Sequence, residues 1–191
     1  IDQTVAAPTF SLAADTGSSG SDRITSNGLI NVFGLEAGGT WEYSTDSGGG
    51  WTSGTGSSFV LGSNATYAAG TIQVRQTDKA GNASTTTSNS SPSIVVDTTS
   101  PSAVVTGISQ IVDDTAAPGD FITSDGVVTV SGTYSGGLAV GETIQVSANG
   151  GTTWVNASTS SPIWVATDVA LVIGSGTLTT RTIDMAGNVT A

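Results

Sequence analysis

The sequence predicts an all-β protein built as two tandem antiparallel β-sandwich domains, end to end. Three observations carry that prediction. Apolar residues alternate with period two over several short runs, turn residues separate the runs, and a set of motifs occurs twice in the same order.

The repeat sets the domain organisation. "DRITSNG" (22–28) matches "DFITSDG" (120–126), and "DSGGGW" (46–51) matches "NGGTTW" (149–154). "RQTDKAGN" (75–82) matches "RTIDMAGN" (181–188), and "DQTVAAP" (2–8) loosely matches "DTTSP" (97–101). Matched anchors lie about 100 residues apart, so the chain divides into 1–97 and 98–191 at "IVVDTTSP". The joint is short and contains Pro, which should make it stiff.

The elements follow in order. Strand A falls near 8–14. Strand B falls near 29–35, where "LINVFGL" puts Ile30 and Val32 on one face; "VVTVSG" does the same with Val128 and Val130. Strand C falls near 40–45, with Trp41 and Tyr43 inward and Glu42 and Ser44 outward; its counterpart "TIQVSAN" points Ile144 and Val146 inward. Strand F falls near 71–77, with Ile72 and Val74 set against Gln73 and Arg75, and strand G near 84–96. About seven strands in roughly 95 residues is an immunoglobulin-like count. In such a sandwich the N-terminus, BC loop and FG loop share one end, while the AB loop and C-terminus share the other. Three residues follow Asn188, where the first domain has a whole last strand up to Asp97. The second domain is therefore expected to show an unpaired edge unless a strand is supplied from elsewhere. The opening "IDQTVAAPTF" starts in mid-pattern and reads as a piece of something longer.

Composition excludes several function classes. Cys and His are absent, which removes thiolate and imidazole chemistry and any disulfide framework. The net charge is −11, from 15 acids against 4 bases, so nucleic acid and anionic membrane surfaces are excluded as partners. No apolar run reaches transmembrane length, so direct membrane insertion is not expected. A glycosidase needs paired carboxylates in a cleft, whereas the acids here fall in loops at sandwich ends. The protein is not expected to be an enzyme.

Asp outnumbers Glu 12 to 3, as turns and metal loops prefer. The strand map sorts most of the Asp residues into three clusters. Asp2 and Asp78, with Glu36, belong to the free end of the first domain. Asp15, Asp22 and Asp97 belong to the joint, where Asp184 of the second domain should face them. Asp113, Asp114 and Asp120 belong to the far end of the second domain. Clustered carboxylates repel unless a cation sits among them, and irregular Asp-rich loops suit Ca2+ better than the tighter octahedron of Mg2+. Asp-x-Ala-Gly-Asn reads both as a tight turn and as a ligand-bearing loop. Trp164, in "SPIWVATD", reads as packing or as a sugar-stacking aromatic.

The combination "VVDTTSP", "DTGSSGSDRITSNG", "WEYSTDSGGGW" and "VRQTDKAGN" resembles the bacterial immunoglobulin-like repeats of large adhesins exported by type 1 secretion, of the biofilm-associated and repeats-in-toxin kind. The resemblance covers nearly the whole chain, more closely in the first domain. It implies tandem repeats in an extended rod, Ca2+ at the joints, a location outside the cell at the bacterial surface, and neighbouring repeats of the same chain as partners. The chain itself is expected to be a monomer. The ligand positions it implies are Asp15, Asp22, Asp78, Asp97, Asp114, Asp120 and Asp184. The second domain departs from the pattern at "GTYSGGLAVGETI" and "SPIWVATDVALVIGSG". Those departures motivate an alternative in which that domain binds carbohydrate or a host surface.

Overall fold

The structure is a computed structural model that describes residues 1–112, 114–115, 117, 119–174 and 176–190. The chain forms two units, Ile1–Thr99 and Ser100–Ala191.

Unit 1 contains β1 (Thr9–Leu12), β2 (Ile24–Thr25), β3 (Leu29–Phe33), β4 (Thr40–Ser44), β5 (Thr52–Ser53), β6 (Ser58–Val60), β7 (Ala65–Tyr67), β8 (Gln73–Thr77), β9 (Thr87–Ser88) and β10 (Ile94–Val96). The order β1-β3-β6 forms one sheet and β5-β4-β8-β9 the other, both antiparallel. A third, small sheet has the order β2-β10-β7. The period-two pattern meets the core as expected. Ile30, Val32, Trp41, Ile72 and Val74 are buried between the two main sheets with Phe59 and Leu61. Strand G, expected as one element, is two pieces, β9 and β10, that belong to different sheets.

Two side chains of β4 depart from simple alternation. Tyr43 is half-buried and stacks on Phe59 with ring centroids 4.1 Å apart. Ser44, expected to face outward, is buried. Its hydroxyl donates to Asp46 Oδ1 at 2.6 Å and accepts from Gly48 N–H at 2.9 Å, so it closes the turn that follows. That hydroxyl and then the Gly50 N–H hold the Asp46 carboxyl below its usual range.

Unit 2 contains β11 (Val104–Ile111), β12 (Val127–Ser135), β13 (Thr143–Ser147), β14 (Val155–Asn156), β15 (Ser158–Ser160), β16 (Ile163–Ala170), β17 (Thr179–Ile183) and β18 (Val189–Thr190). Its two sheets have the orders β11-β12-β16-β15 and β14-β13-β17-β18. Val128, Val130, Ile144 and Val146 are buried between them, as the alternation requires. The unmatched stretch "SPIWVATDVA" becomes the end of a β15–β16 hairpin with a bulge. Val128 pairs with Val169 and Val130 with Ala166, which sets Thr167 and Asp168 together opposite Thr129. Asp168 sits there at φ 60° and is exposed.

The repeat is visible in detailed contacts. Arg75 lies 3.9 Å over Trp51 and pairs with Glu42 at 2.8 Å. Arg181 lies 3.9 Å over Trp154 and donates to Gln145 at 2.8 Å. Ser147 and Asn149 repeat the Ser44–Asp46 turn, with Gly151 N–H on the Ser147 hydroxyl at 2.9 Å.

Candidate metal centres

The AB loops hold the most informative carboxylates. In unit 1, Asp15 Oδ2 accepts from Arg23 N–H at 2.9 Å, and Asp22 Oδ1 from Ile24 N–H at 3.0 Å. In unit 2, Asp114 Oδ2 accepts from Gly119 N–H at 2.6 Å and Phe121 N–H at 3.4 Å, and Asp120 Oδ1 from Ile122 N–H at 2.9 Å. Arg23 and Phe121 both adopt positive φ, 63° and 59°, which bends each loop back on its first aspartate. A hydroxyl beside that aspartate fixes the segment that closes the loop: Thr16 Oγ1 accepts from Ser26 N–H at 2.7 Å, and Thr115 Oγ1 from Ser124 N–H at 3.0 Å.

This folding leaves one oxygen over in each loop. Asp15 Oδ1 and Asp114 Oδ1 are buried and have no hydrogen-bond partner among the described residues. A carboxylate oxygen taken out of water without a donor is costly, and a hard cation is the ligand that suits an all-oxygen loop. Both loops offer aspartate and hydroxyl oxygens and no soft ligand, a set that suits a hard cation such as Ca2+. Asp113 lies outside the described residues.

A second group forms at the opposite end of unit 1. Carboxylate oxygens of Asp2, Glu36 and Asp78 all lie within 4.8 Å of one another. Asp78 is buried, whereas Asp2 and Glu36 are exposed. Asp78 is placed by its own turn. Its Oδ1 accepts from Asn82 N–H and its Oδ2 from the Asn82 side-chain amide, both at 2.7 Å. The Asn82 amide is the first cause holding the Asp78 carboxyl below the usual carboxylate range. Burial opposes it, and the N–H groups of Asn82, Gly81 and Ala80 assist it. Glu36 is anchored through its backbone, where its N–H donates to Gln76 Oε1 at 2.9 Å.

The same turn recurs in unit 2. Asp184 Oδ1 accepts from Asn188 N–H at 2.9 Å and Oδ2 from the Asn188 amide at 2.8 Å. Gly81 and Gly187 have φ of 93° and 90°, so the glycine of Asp-x-Ala-Gly-Asn is a steric requirement of the turn. Asp97 sits beside β2. Its N–H donates to Thr25 O and its Oδ1 accepts from Thr99 N–H, both at 2.9 Å. Among the described residues, Asp15, Asp22 and Asp97 do not converge as closely as Asp2, Glu36 and Asp78 do.

Sequence reasoning passed over Thr16 and Thr115, although both loops carry an Asp-Thr pair that signals them. Trp164 is corrected as a sugar platform. It is fully buried, and its indole N–H donates to Thr133 O at 3.2 Å. β16 turns that face of the ring into the core of unit 2.

No family model and no curated protein matches this chain. Among solved structures it is similar to one described as the crystal structure of a tetra-tandem repeat in the extending region of a large adhesion protein. That similarity has 20% identity over 97% of this chain and 47% of the other, with a TM-score of 0.27. The chain spans about half the length of that structure.

Proposed function

We propose that this chain is a structural extender module of a large bacterial surface adhesin, in which Ca2+ held by end loops and joints stiffens a rod outside the cell. The observation that carries the reading is the buried, unpartnered carboxylate oxygen at the same position of the AB loop in both units, Asp15 and Asp114. The Asp2–Glu36–Asp78 group supports it. The sequence motifs that resemble type 1-secreted, biofilm-associated adhesin repeats support the setting, and neighbouring repeats of the same polypeptide are its partners. The repeat assigns Asp97 and Asp184 to the joint as further ligands.

The mechanism is electrostatic and mechanical. Without a cation, acid repulsion loosens the end loops; with Ca2+, binding free energy adds to the stability of the folded units by mass action. Folding is then favoured where calcium is plentiful, outside the cell, over a cytosol where it is scarce. The role is not enzymatic.

The test compares melting temperature and scattering-derived length in chelator and in millimolar Ca2+. Both should increase with Ca2+. If neither changes, the calcium reading fails.

A further inference from the structure

The inward side of β8 carries Val74 and Gln76, in line with Ile72 just ahead of the strand. Ile72 and Val74 are apolar and fully buried; Gln76 is an amide and only 3% exposed. A buried amide is costly unless its polar atoms are paired, and Gln76 uses both donors and its acceptor. Its Nε2 donates to Ala6 O at 2.8 Å and to Gly34 O at 2.9 Å, and its Oε1 accepts from Glu36 N–H at 2.9 Å. One side chain thus ties two other stretches of backbone to β8: the segment ahead of β1 and the loop that follows β3. Thr87 of β9 adds a second tie two residues further on, where its hydroxyl donates to Pro8 O at 2.6 Å.

Unit 2 keeps the second tie and lacks the first. Thr190 Oγ1 donates to Pro101 O at 2.6 Å, as Thr87 does to Pro8. At the position of Gln76, "RTIDMAGN" has Thr182. Its hydroxyl is buried and has no hydrogen-bond partner among the described residues. Ala139 matches Glu36, since Glu142 N–H donates to Ala139 O as Gly39 N–H does to Glu36 O. The Ala139 N–H is taken by Glu142 Oε2 at 2.8 Å. The first strands differ in the opposite sense: β1 has 4 residues and β11 has 8. The amide tie belongs to the unit with the short first strand.

The place of the ties gives them a mechanical role. β1 runs antiparallel to β3, with Thr9 opposite Phe33 and Leu12 opposite Ile30, so it starts where β3 ends. The chain leaves unit 1 near the start of β3: Asp97 N–H donates to Thr25 O at 2.9 Å, and a Cβ on Gly28 would lie 3.4 Å from Val96 Cγ1. Tension between the two ends of the unit therefore runs along β1. It reaches Ala6 and Pro8 before the first pair of the β1–β3 ladder.

We propose that Gln76 is a load-bearing fastener, whose amide holds the entering segment of unit 1 against tension along the chain, with Thr87 as its second point. The role rests on the extender reading, because a strut is pulled end to end, but it needs no cation. Forced unfolding is governed by the unfolding rate. A bond that must break first on the loaded path controls that rate, whereas a bond that only adds to stability acts without regard to where the force enters.

The chain has no cysteine, so introduced ones are unique handles. In the full chain, Ile1→Cys with Ser100→Cys loads unit 1 through Ala6 and Pro8. Lys79→Cys with Ser100→Cys loads it from the exposed Asp78–Asn82 turn and bypasses them. Unfolding rates at constant force are measured in chelator for both pairs. Gln76→Ala should raise the rate by a factor at least tenfold larger for the first pair than for the second. Thr87→Val is a milder change that should show the same preference, and it keeps the test valid if Gln76→Ala does not fold. Equal factors for the two pairs overturn the proposal and leave Gln76 as core packing. A preference seen only with Ca2+ present also overturns it, because the tie is made of neutral groups. The calcium reading is tested separately by melting temperature and length, so the two fail independently.

Discussion

The AB loops and the β10 region invite comparison, because likeness of sequence and likeness of structure run in opposite directions in the two. "DTGSSGSD" and "DTAAPGD" share little beyond their aspartates and the threonine, yet both wrap the first aspartate around a following N–H and bury its other oxygen. "DRITSNG" and "DFITSDG" are far more alike, yet one lies beside a paired strand and the other beside a cavity. A loop built from side-chain-to-backbone bonds is specified by a few nearby residues. A strand's surroundings are specified by segments far along the chain. The first kind of structure survives sequence change; the second depends on segments that the local sequence does not contain.

The comparison can be broken most forcefully at β10. Ile94→Ala should destabilise unit 1 by about 3 kcal/mol, in the range for removing a buried aliphatic side chain. Unit 2, which holds no counterpart of that strand among its described residues, should keep its stability. Hydrogen exchange resolved by unit reads both effects. The AB loops come next. Asp15→Asn should remove the calcium-dependent gain in unit 1 alone, and Asp114→Asn that in unit 2 alone. At a Ca2+ concentration about 100 times the dissociation constant, each loss amounts to about 2.7 kcal/mol. Calorimetric titration of each variant should show fewer ions bound, and unchanged stoichiometry in both would sink these assignments.

Much of this was legible in the sequence, for identifiable reasons. Ile30, Val32, Ile144 and Val146 alternate with polar neighbours, and the sheets bury them accordingly. The repeated Asp-x-Ala-Gly-Asn needs a positive φ at its glycine and has it in both copies. The grouping of Asp2 and Asp78 with Glu36 followed from the immunoglobulin-like loop map. What alternation could not carry was any side chain whose role is set by one partner. Ser44 is buried because its hydroxyl closes a turn, and Val169 because a bulge shifts the inward face of β16 by one residue after Ala166. The buried oxygens of Asp15 and Asp114 depend on loop closure, which composition does not encode.

A smaller effect concerns acid. The folded-state Asp78 pKa lies below its ordinary value, so its contribution is present above the normal carboxylate range and lost as pH falls through the lowered folded pKa. Asn82→Ala removes the largest cause of that shift and should move acid unfolding of unit 1 to higher pH. The smallest change sharpens the likeness of the units. Glu42→Gln gives Arg75 the partner that Arg181 already has in Gln145, and it should cost no more than about 0.5 kcal/mol by thermal unfolding in moderate salt.

The scarcity of basic residues has one more consequence. A protease that cuts after lysine or arginine finds four target residues in this chain. Arg75 and Arg181 are stacked on tryptophans within paired strands, and Arg23 donates to the carbonyls of Ser90 and Pro92 at 2.7 and 3.0 Å. Lys79 alone stands exposed at the tip of a turn, next to the aspartate that Asn82 holds. Limited digestion should therefore begin with a single cut at Lys79. The rate of that cut becomes a direct gauge of how tightly the end of unit 1 is closed.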